Sequence, residues 1–169
     1  MARLFFAVWP DTAGAARLEK LAGELAIVSE GKPVPREKAH LTLVFLGEVS
    51  AERAQAASEA AMDVRFAPFA LTLDCVGSFR GARVAWAGSL APQVELAQLQ
   101  ADLAGRLAKK GFVLEDRPFA PHATLARQVR KAVPRARIDP VEWTIDAFTL
   151  VRSESGTGRY AVMESFAAG

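Results

Sequence analysis

One four-residue pattern, present twice, limits what this chain can fold into more than any other feature. Residues 40–43 read His40-Leu41-Thr42-Leu43, and residues 122–125 read His122-Ala123-Thr124-Leu125. The chain contains 2 histidines, and both lie in this pattern. At average residue usage a Thr-Leu pair follows a given His at that offset roughly a few times in a thousand. Two occurrences around the only histidines therefore point to a duplication. Both copies sit in β-like sequence, where residues i and i+2 project from one face. Each copy then offers an imidazole and a hydroxyl side by side. The copies stand half a chain apart, which suggests two pseudo-symmetric lobes facing each other.

The order of elements fits that picture. Leu4 to Trp9 is a continuous apolar run closed by Pro10 and reads as a buried strand. Asp11 or Thr12 can cap a helix with Leu18, Leu21, Leu25 and Val28 as its apolar stripe. Gly31, Pro33 and Pro35 predict a loop. Ala39 to Leu46 reads as the first motif strand, ended by Gly47. Ser50 can cap an alanine-rich helix to about Val64. Phe69 to Cys75 alternates as a half-buried strand. Gly77 to Gly81 reads as a turn leading to a hairpin partner, Arg83 to Ala87. Pro92 opens what reads as the longest helix, with Leu96, Leu99, Leu103 and Leu107 on its buried face. His122 to Arg127 is the second motif strand. A basic segment follows (Arg127, Arg130, Lys131, Arg135, Arg137) and reads as a surface loop. Trp143 to Arg152 reads as one long strand, Ser153 to Gly158 as a hairpin turn, and Tyr160 to Phe166 as the last strand. Helices between some strands and hairpins between others predict an α+β fold with antiparallel or mixed sheets, not a parallel doubly wound one.

Composition narrows the setting. Residues 1–169 fit one bilobal domain, and 51% hydrophobic content supports a real core. A net charge of +2 permits an anionic ligand without demanding one. The single cysteine, Cys75, can form no intrachain disulfide, which suits a reducing cytoplasm. The apolar start is too short for a signal sequence, and no stretch is long enough to span a membrane. The sequence lacks a metal-ligand cluster, a Gly-rich phosphate loop and a Gly-x-Ser-x-Gly elbow, so no metal or cofactor is expected.

Two histidines and two threonines in one cleft suit chemistry at phosphorus. Histidine gives or takes protons near neutral pH. One imidazole can activate water while the other protonates the leaving oxygen. Threonine hydroxyls can donate to the non-bridging oxygens, where charge grows. A lone histidine in a strand is commonly a surface or core residue, and Thr favours strands anyway. It is the duplication that lifts the motif above those readings.

Ala39 to Glu48 and Phe119 to Arg127 resemble the two signatures of the 2H phosphoesterase superfamily. More closely they resemble its RNA 2′,3′-cyclic phosphodiesterase branch, also called the 2′-5′ RNA ligase family. The opening Arg3 to Val8 and the closing stretch Leu150 to Tyr160 are similar to that branch too. The resemblance implies two similar α+β lobes, each with an antiparallel sheet, around a central cleft. It implies metal-independent hydrolysis of an RNA-terminal 2′,3′-cyclic phosphate to a 2′-phosphate, with reversible 2′-5′ ligation in some members. His40 would be the general acid and His122 the general base. Thr42 and Thr124 would bind the phosphate, Arg127 would add positive charge, and Phe45 would stack on a base. The expected partners are RNA ends with a cyclic phosphate or small cyclic nucleotides, handled by a monomer. The alternative is a non-catalytic RNA- or nucleotide-binding module using the same cleft.

One tension stands in the pattern. Phe45 and Arg127 each lie five residues after their histidine, and strict alternation sends them to the opposite face. They reach the cleft only if the strand ends, bends or bulges first. Ala123 stands where a larger apolar residue is common in the family and is expected in the core. Trp9, Trp86 and Trp143 read as core residues. Phe79, beside Arg80 and Arg83, is a candidate second stacking contact, and the basic segment a candidate track for an RNA backbone.

Overall fold

The computed structural model describes residues 1–154 and 156–169. Nine strands and three α-helices, counted among the described residues, follow in chain order. They are β1 (Ala2–Val8), α1 (Thr12–Ser29), β2 (Lys32–Pro33), β3 (Leu41–Val49), α2 (Ala51–Met62), β4 (Phe69–Phe79), β5 (Val84–Gly88), α3 (Val94–Lys109), β6 (His122–Arg127), β7 (Ala136–Ile145), β8 (Ala147–Ser153) and β9 (Tyr160–Ala167). The fold is α+β, and every strand pairing is antiparallel.

The main strand order is β7-β4-β5-β6-β3-β1-β8-β9, with β2 pairing on β6. This divides into two four-stranded halves, β7-β4-β5-β6 and β3-β1-β8-β9. The two motif strands are their facing edges, joined by one residue pair, Leu41 with Ala123. The duplication extends beyond the motif: β1–α1–β3 and β5–α3–β6 are both strand–helix–strand units ending in a motif strand.

Local chemistry explains the helices. Asp11 caps α1, its carboxylate accepting from the Gly14 amide at 2.7 Å. Ser50 caps α2, accepting from the Arg53 amide at 3.2 Å. Each such cap contributes about 1 kcal/mol. On α3, Leu96, Leu99, Leu103 and Leu107 are all buried, as their spacing predicts. On α1 the buried face runs through Leu18, Ala22, Leu25, Ala26 and Ser29, so Val28 is exposed, not part of the stripe. At 18 residues α1 is longer than α3, which has 16 and starts at Val94.

The loop expected at Gly31 to Pro35 contains the two-residue strand β2, because Lys32 and Pro33 pair with Arg127 and Ala126 of β6. Four further differences from the sequence reading shape the sheet. First, β3 continues through Gly47, which adopts the left-handed φ of 74° beside a bulge. Second, β4 runs through Gly77 to Phe79, because the bare Gly77 backbone lies under the Trp86 ring. Third, the expected strand Trp143 to Arg152 is two strands broken at Asp146. The main core takes odd positions before the break (141, 143, 145) and even ones after it (148, 150), with Val151 turned to a second, smaller cluster, and β7 and β8 pair with opposite halves of the sheet. The sheet therefore curls so that its halves approach. Fourth, the basic segment is a loop only to 135, since β7 begins at Ala136. In the turn expected at Ser153 to Gly158, Ser155 lies outside the described residues; the Glu154 amide donates to the Arg159 carbonyl across it.

From Leu4 to Val8 the strand β1 is apolar without a break because both its faces are covered there. Leu4, Phe6 and Val8 enter the main core, whereas Phe5 and Ala7 join a smaller cluster with Val151, Trp9 and Tyr160. Among the described residues no helix is long and apolar enough to cross a membrane.

Candidate active site

The junction of β3 and β6 assembles the four motif residues. Leu41 and Ala123 pair across it and are both fully buried. By that antiparallel register His40 stands opposite Thr124, and Thr42 opposite His122. All four project from the other face, away from the core, and are half-buried. A bulky residue at 123 is unnecessary because the junction is a single close pair.

The two histidines are anchored alike. His40 Nδ1 lies 2.7 Å from the Lys38 carbonyl, and His122 Nδ1 lies 2.8 Å from the Ala120 carbonyl. A carbonyl can only accept, so Nδ1 carries the hydrogen in each ring and Nε2 is the nitrogen left for chemistry. In both halves the anchoring carbonyl is two residues before the histidine. The Thr42 hydroxyl donates to His40 Nε2 at 3.1 Å.

The surroundings of the two rings differ. His40 stacks on Phe5 (centroids 5.0 Å apart, planes at 28°), meets Trp9 at 5.1 Å and meets the edge of Tyr160 at 5.5 Å. The Trp9 indole is fixed by donation from Nε1 to Thr149 Oγ1 at 2.8 Å. Burial in this aromatic box pushes the His40 pKa below the ordinary imidazole value. The hydrogen bond to Lys38 opposes that, while the charges of Arg127, His122 and Lys38 add to it. His122 instead meets Phe79 edge-on at 5.2 Å, and Phe79 lies against Trp86 at 5.4 Å. Of the three tryptophans expected in the core, only Trp143 is there; Trp9 and Trp86 are half-buried beside the site.

Bulges bring out Phe45 and Arg127. Adjacent residues Phe6 and Ala7 of β1 pair with Val44 and Thr42, leaving Leu43 as an extra residue in β3. Adjacent Ala85 and Trp86 of β5 pair with Ala126 and Thr124, leaving Leu125 as an extra residue in β6. Each bulge falls on the leucine of its motif and shifts the alternation by one. From the residue after each histidine, burial runs buried, half-buried, buried, buried, exposed in both strands. Phe45 is consequently 41% exposed, with the Arg3 guanidinium 5.2 Å from its ring centroid. Arg127 is exposed and acts electrostatically on His40.

A cleft of about 450 Å³ is lined by Thr42, Phe45, Phe79, Arg117, Phe119 and His122 among others, while His40, Thr124 and Arg127 lie outside its lining. Among the described residues no three His, Cys, Asp or Glu side chains converge as a metal-ligand set. Sequence reasoning missed Phe5, Trp9 and Tyr160. The available signal was the unbroken apolar run of β1, which requires a cover on both faces.

Known proteins are similar in sequence and in fold. A family model described as the 2′-5′ RNA ligase superfamily matches residues 10–157. The RNA 2′,3′-cyclic phosphodiesterase of Escherichia coli strain K12 is 41% identical over 76% of this chain and 74% of that protein. The Thermus thermophilus protein of the same name is 35% identical over 97% of this chain and 89% of its own length. Crystal structures of E. coli LigT with 3′-AMP and with phosphate superpose with TM-scores of 0.89 and 0.83, at 35% and 34% identity. Both cover 99% of this chain, and 98% and 97% of theirs.

Proposed function

The chain belongs to the 2′-5′ RNA ligase superfamily, and from that membership and the paired histidines we infer that it is an RNA 2′,3′-cyclic phosphodiesterase. It opens the cyclic phosphate at an RNA end to leave a 2′-phosphate. The observation that carries this reading is the matched anchoring of His40 and His122. Each holds its Nδ1 hydrogen on a carbonyl and frees Nε2 across a one-pair strand junction, with a threonine hydroxyl beside each.

In the reaction His122 Nε2 removes a proton from water. The water oxygen attacks phosphorus as the bond from phosphorus to O3′ breaks, and His40 Nε2 delivers its proton to O3′. The Thr42 and Thr124 hydroxyls donate to the non-bridging oxygens, and Arg127 adds positive charge. In the free protein, burial and cationic neighbours hold His40 neutral, and Thr42 donates to it. Entry of the phosphate anion reverses that balance. It draws the Thr42 hydroxyl to itself and favours protonation of His40, which makes His40 the acid. Phe45 stacks on the terminal base. Ligation to a 2′-5′ bond uses the same groups in the same roles: a 5′-hydroxyl takes the place of water, loses its proton to His122, and attacks phosphorus as O3′ leaves with the proton from His40.

Both histidines come from one chain, which supports action as a monomer, with residues 1–169 as a single bilobal unit. The lone Cys75, a free and buried thiol, is at home in a reducing cytoplasm.

The test is turnover of an RNA oligonucleotide ending in a 2′,3′-cyclic phosphate, with chelator present, followed by phosphorus NMR. Wild type should yield a 2′-phosphate, and His40→Ala and His122→Ala should be nearly silent. A folded wild type that binds this RNA without turning it over would leave a binding module in place of an enzyme.

A further inference from the structure

Phe79 is where three clefts meet. It lines the cleft with Thr42 and His122, a second of about 480 Å³ on the other side of His122, and a third of about 380 Å³ between the β4–β5 turn and the loop after β6. The third is the most basic. Its walls carry Arg80 and Arg83 from the turn and Arg130 and Lys131 from the loop, all exposed, with Ser78 at its base.

This groove is built, not a loose run of charge. The Val129 amide donates to the Arg83 carbonyl at 3.0 Å, and Arg83 Nε donates to the Val129 carbonyl at 3.3 Å. The Val133 amide donates to Ser78 Oγ at 2.8 Å, and the Arg130 and Lys131 amides both donate to the Ser29 carbonyl at 2.9 Å. Lys131 is partly neutralised by Glu30 at 2.7 Å. The guanidinium groups of Arg80 and Arg130 pair with no carboxylate among the described residues. Arg127 at the end of β6 carries the positive charge from the loop back to His40.

Resting on the cyclic phosphodiesterase reading, we propose that this groove holds the RNA chain upstream of the reacting end, with Arg80 and Arg130 on its phosphates and Phe79 under the penultimate base. A half-exposed aromatic ring at the mouth of a cationic groove is the arrangement that single-stranded nucleic acid uses, stacking on the ring while the cations track the backbone. Phe79 is 40% exposed, and its ring is held by Trp86 and His122. The enzyme is then a reader of polynucleotide ends, and mononucleotides fill only the histidine half of its site.

The experiment compares a nucleoside 2′,3′-cyclic phosphate with di-, tri- and pentanucleotides bearing the same end, for wild type and an Arg80→Ala/Arg130→Ala double variant. Both positions are exposed, so the variant should fold as wild type does. For wild type, kcat/KM should climb from mononucleotide to trinucleotide. The double variant should keep its mononucleotide kcat/KM within about twofold and lose roughly tenfold on the pentanucleotide, mainly in KM. Each lost single-strand phosphate contact removes about 0.7 from the slope of log kcat/KM against log salt. The double variant should therefore be shallower by roughly 1.4 on the pentanucleotide and unchanged on the mononucleotide. Equal wild-type activity on all lengths, or equal losses on mono- and pentanucleotide, overturns the groove and leaves the cyclic phosphodiesterase reading standing. Absence of wild-type turnover on every substrate overturns both.

Discussion

Replacing Gly77 by alanine should disable the site from a position that touches no substrate. Gly77 pairs with Trp86 across β4 and β5, and the indole lies over the bare backbone. A Cβ at 77 would stand 2.5 Å from Trp86 Cζ2 and 2.9 Å from Cη2. Carbon atoms rest about 3.5–4.0 Å apart, so the ring must retreat by roughly 1 Å. The ring lies against bare backbone at Gly88 as well, where an added Cβ would meet Cζ3 at 3.0 Å, so the relief from the methyl added at 77 is upward, off the sheet. Lifting it drives it into Phe79, whose ring is 5.4 Å from Trp86 and 5.2 Å from His122.

Overpacking of this kind costs about 1–3 kcal/mol, or roughly 2–4 °C of Tm per kcal/mol for a chain of this size. A misplacement near 1 Å at a catalytic group can cost up to about 10²-fold in rate. Phe79 absorbs part of the shift, so kcat should fall between roughly tenfold and a hundredfold. The assay is kcat on the cyclic-phosphate oligonucleotide beside a thermal melt, with Gly105→Ala as control. Gly105 lies in α3 with nothing within 4 Å of its added Cβ, and alanine there should stabilise by about 1 kcal/mol with kcat unchanged. Trp86→Leu removes the obstructing ring, so Gly77→Ala should cost less stability in that background than in wild type. Wild-type kcat in Gly77→Ala, or strictly additive stability losses in the double variant, would refute the chain of contact from Gly77 to His122.

Other expectations follow from the same geometry. By NMR titration His40 should take its proton below the ordinary value of 6.5 in the free protein, and at higher pH once a nucleoside 2′-phosphate is bound or Arg127 is replaced by alanine. An unchanged or downward shift in either case would contradict its placement. Because folding depresses this pKa, the unfolded chain binds the proton more readily. The His40 contribution is therefore intact above pH 6.5 and lost as pH falls through the folded value; pH-dependent melts of His40→Gln should be flatter over that window. Phe45→Ala should raise KM roughly tenfold, within the stacking range of about 1–3 kcal/mol per base, with little change in kcat; a loss confined to kcat would remove the stacking role. Phe148→Ala, which truncates a fully buried ring packed on Phe6 and Phe166, should cost about 3–5 kcal/mol in denaturant melts.

Much of this was legible in the sequence, and the failures fall where tertiary partners decide. Period-2 alternation placed His40 with Thr42 and His122 with Thr124, and put Leu41 and Ala123 in the core. Helical spacing identified the buried leucines of α3. What alternation cannot register is an extra residue, because a bulge is defined by the partner strand. Leu43 is supernumerary only against Phe6 and Ala7, and Leu125 only against Ala85 and Trp86. The break at Asp146 was hidden for a related reason: apolar residues continue through it while the face they cover changes. Trp9 and Trp86 were misplaced because a half-buried indole has the same sequence signature as a buried one.

The bulges also explain how a duplicated motif can serve a reaction that has a direction. The repeated unit is six residues long: histidine, a buried residue, threonine, the bulged leucine, a second buried residue, and a side chain returned to the cleft. Its proton-handling atoms are the same in both halves, down to the carbonyl two residues before each histidine. Only the sixth position differs in kind, phenylalanine at 45 and arginine at 127. A site symmetric in its acid–base groups could hold a phosphodiester either way round. An aromatic ring on one side and a guanidinium on the other admit one orientation, with the base toward Phe45 and the charge toward Arg127. On this reading the two histidines owe their different roles to that sixth residue and to the aromatic box around His40, not to any difference in their own anchoring.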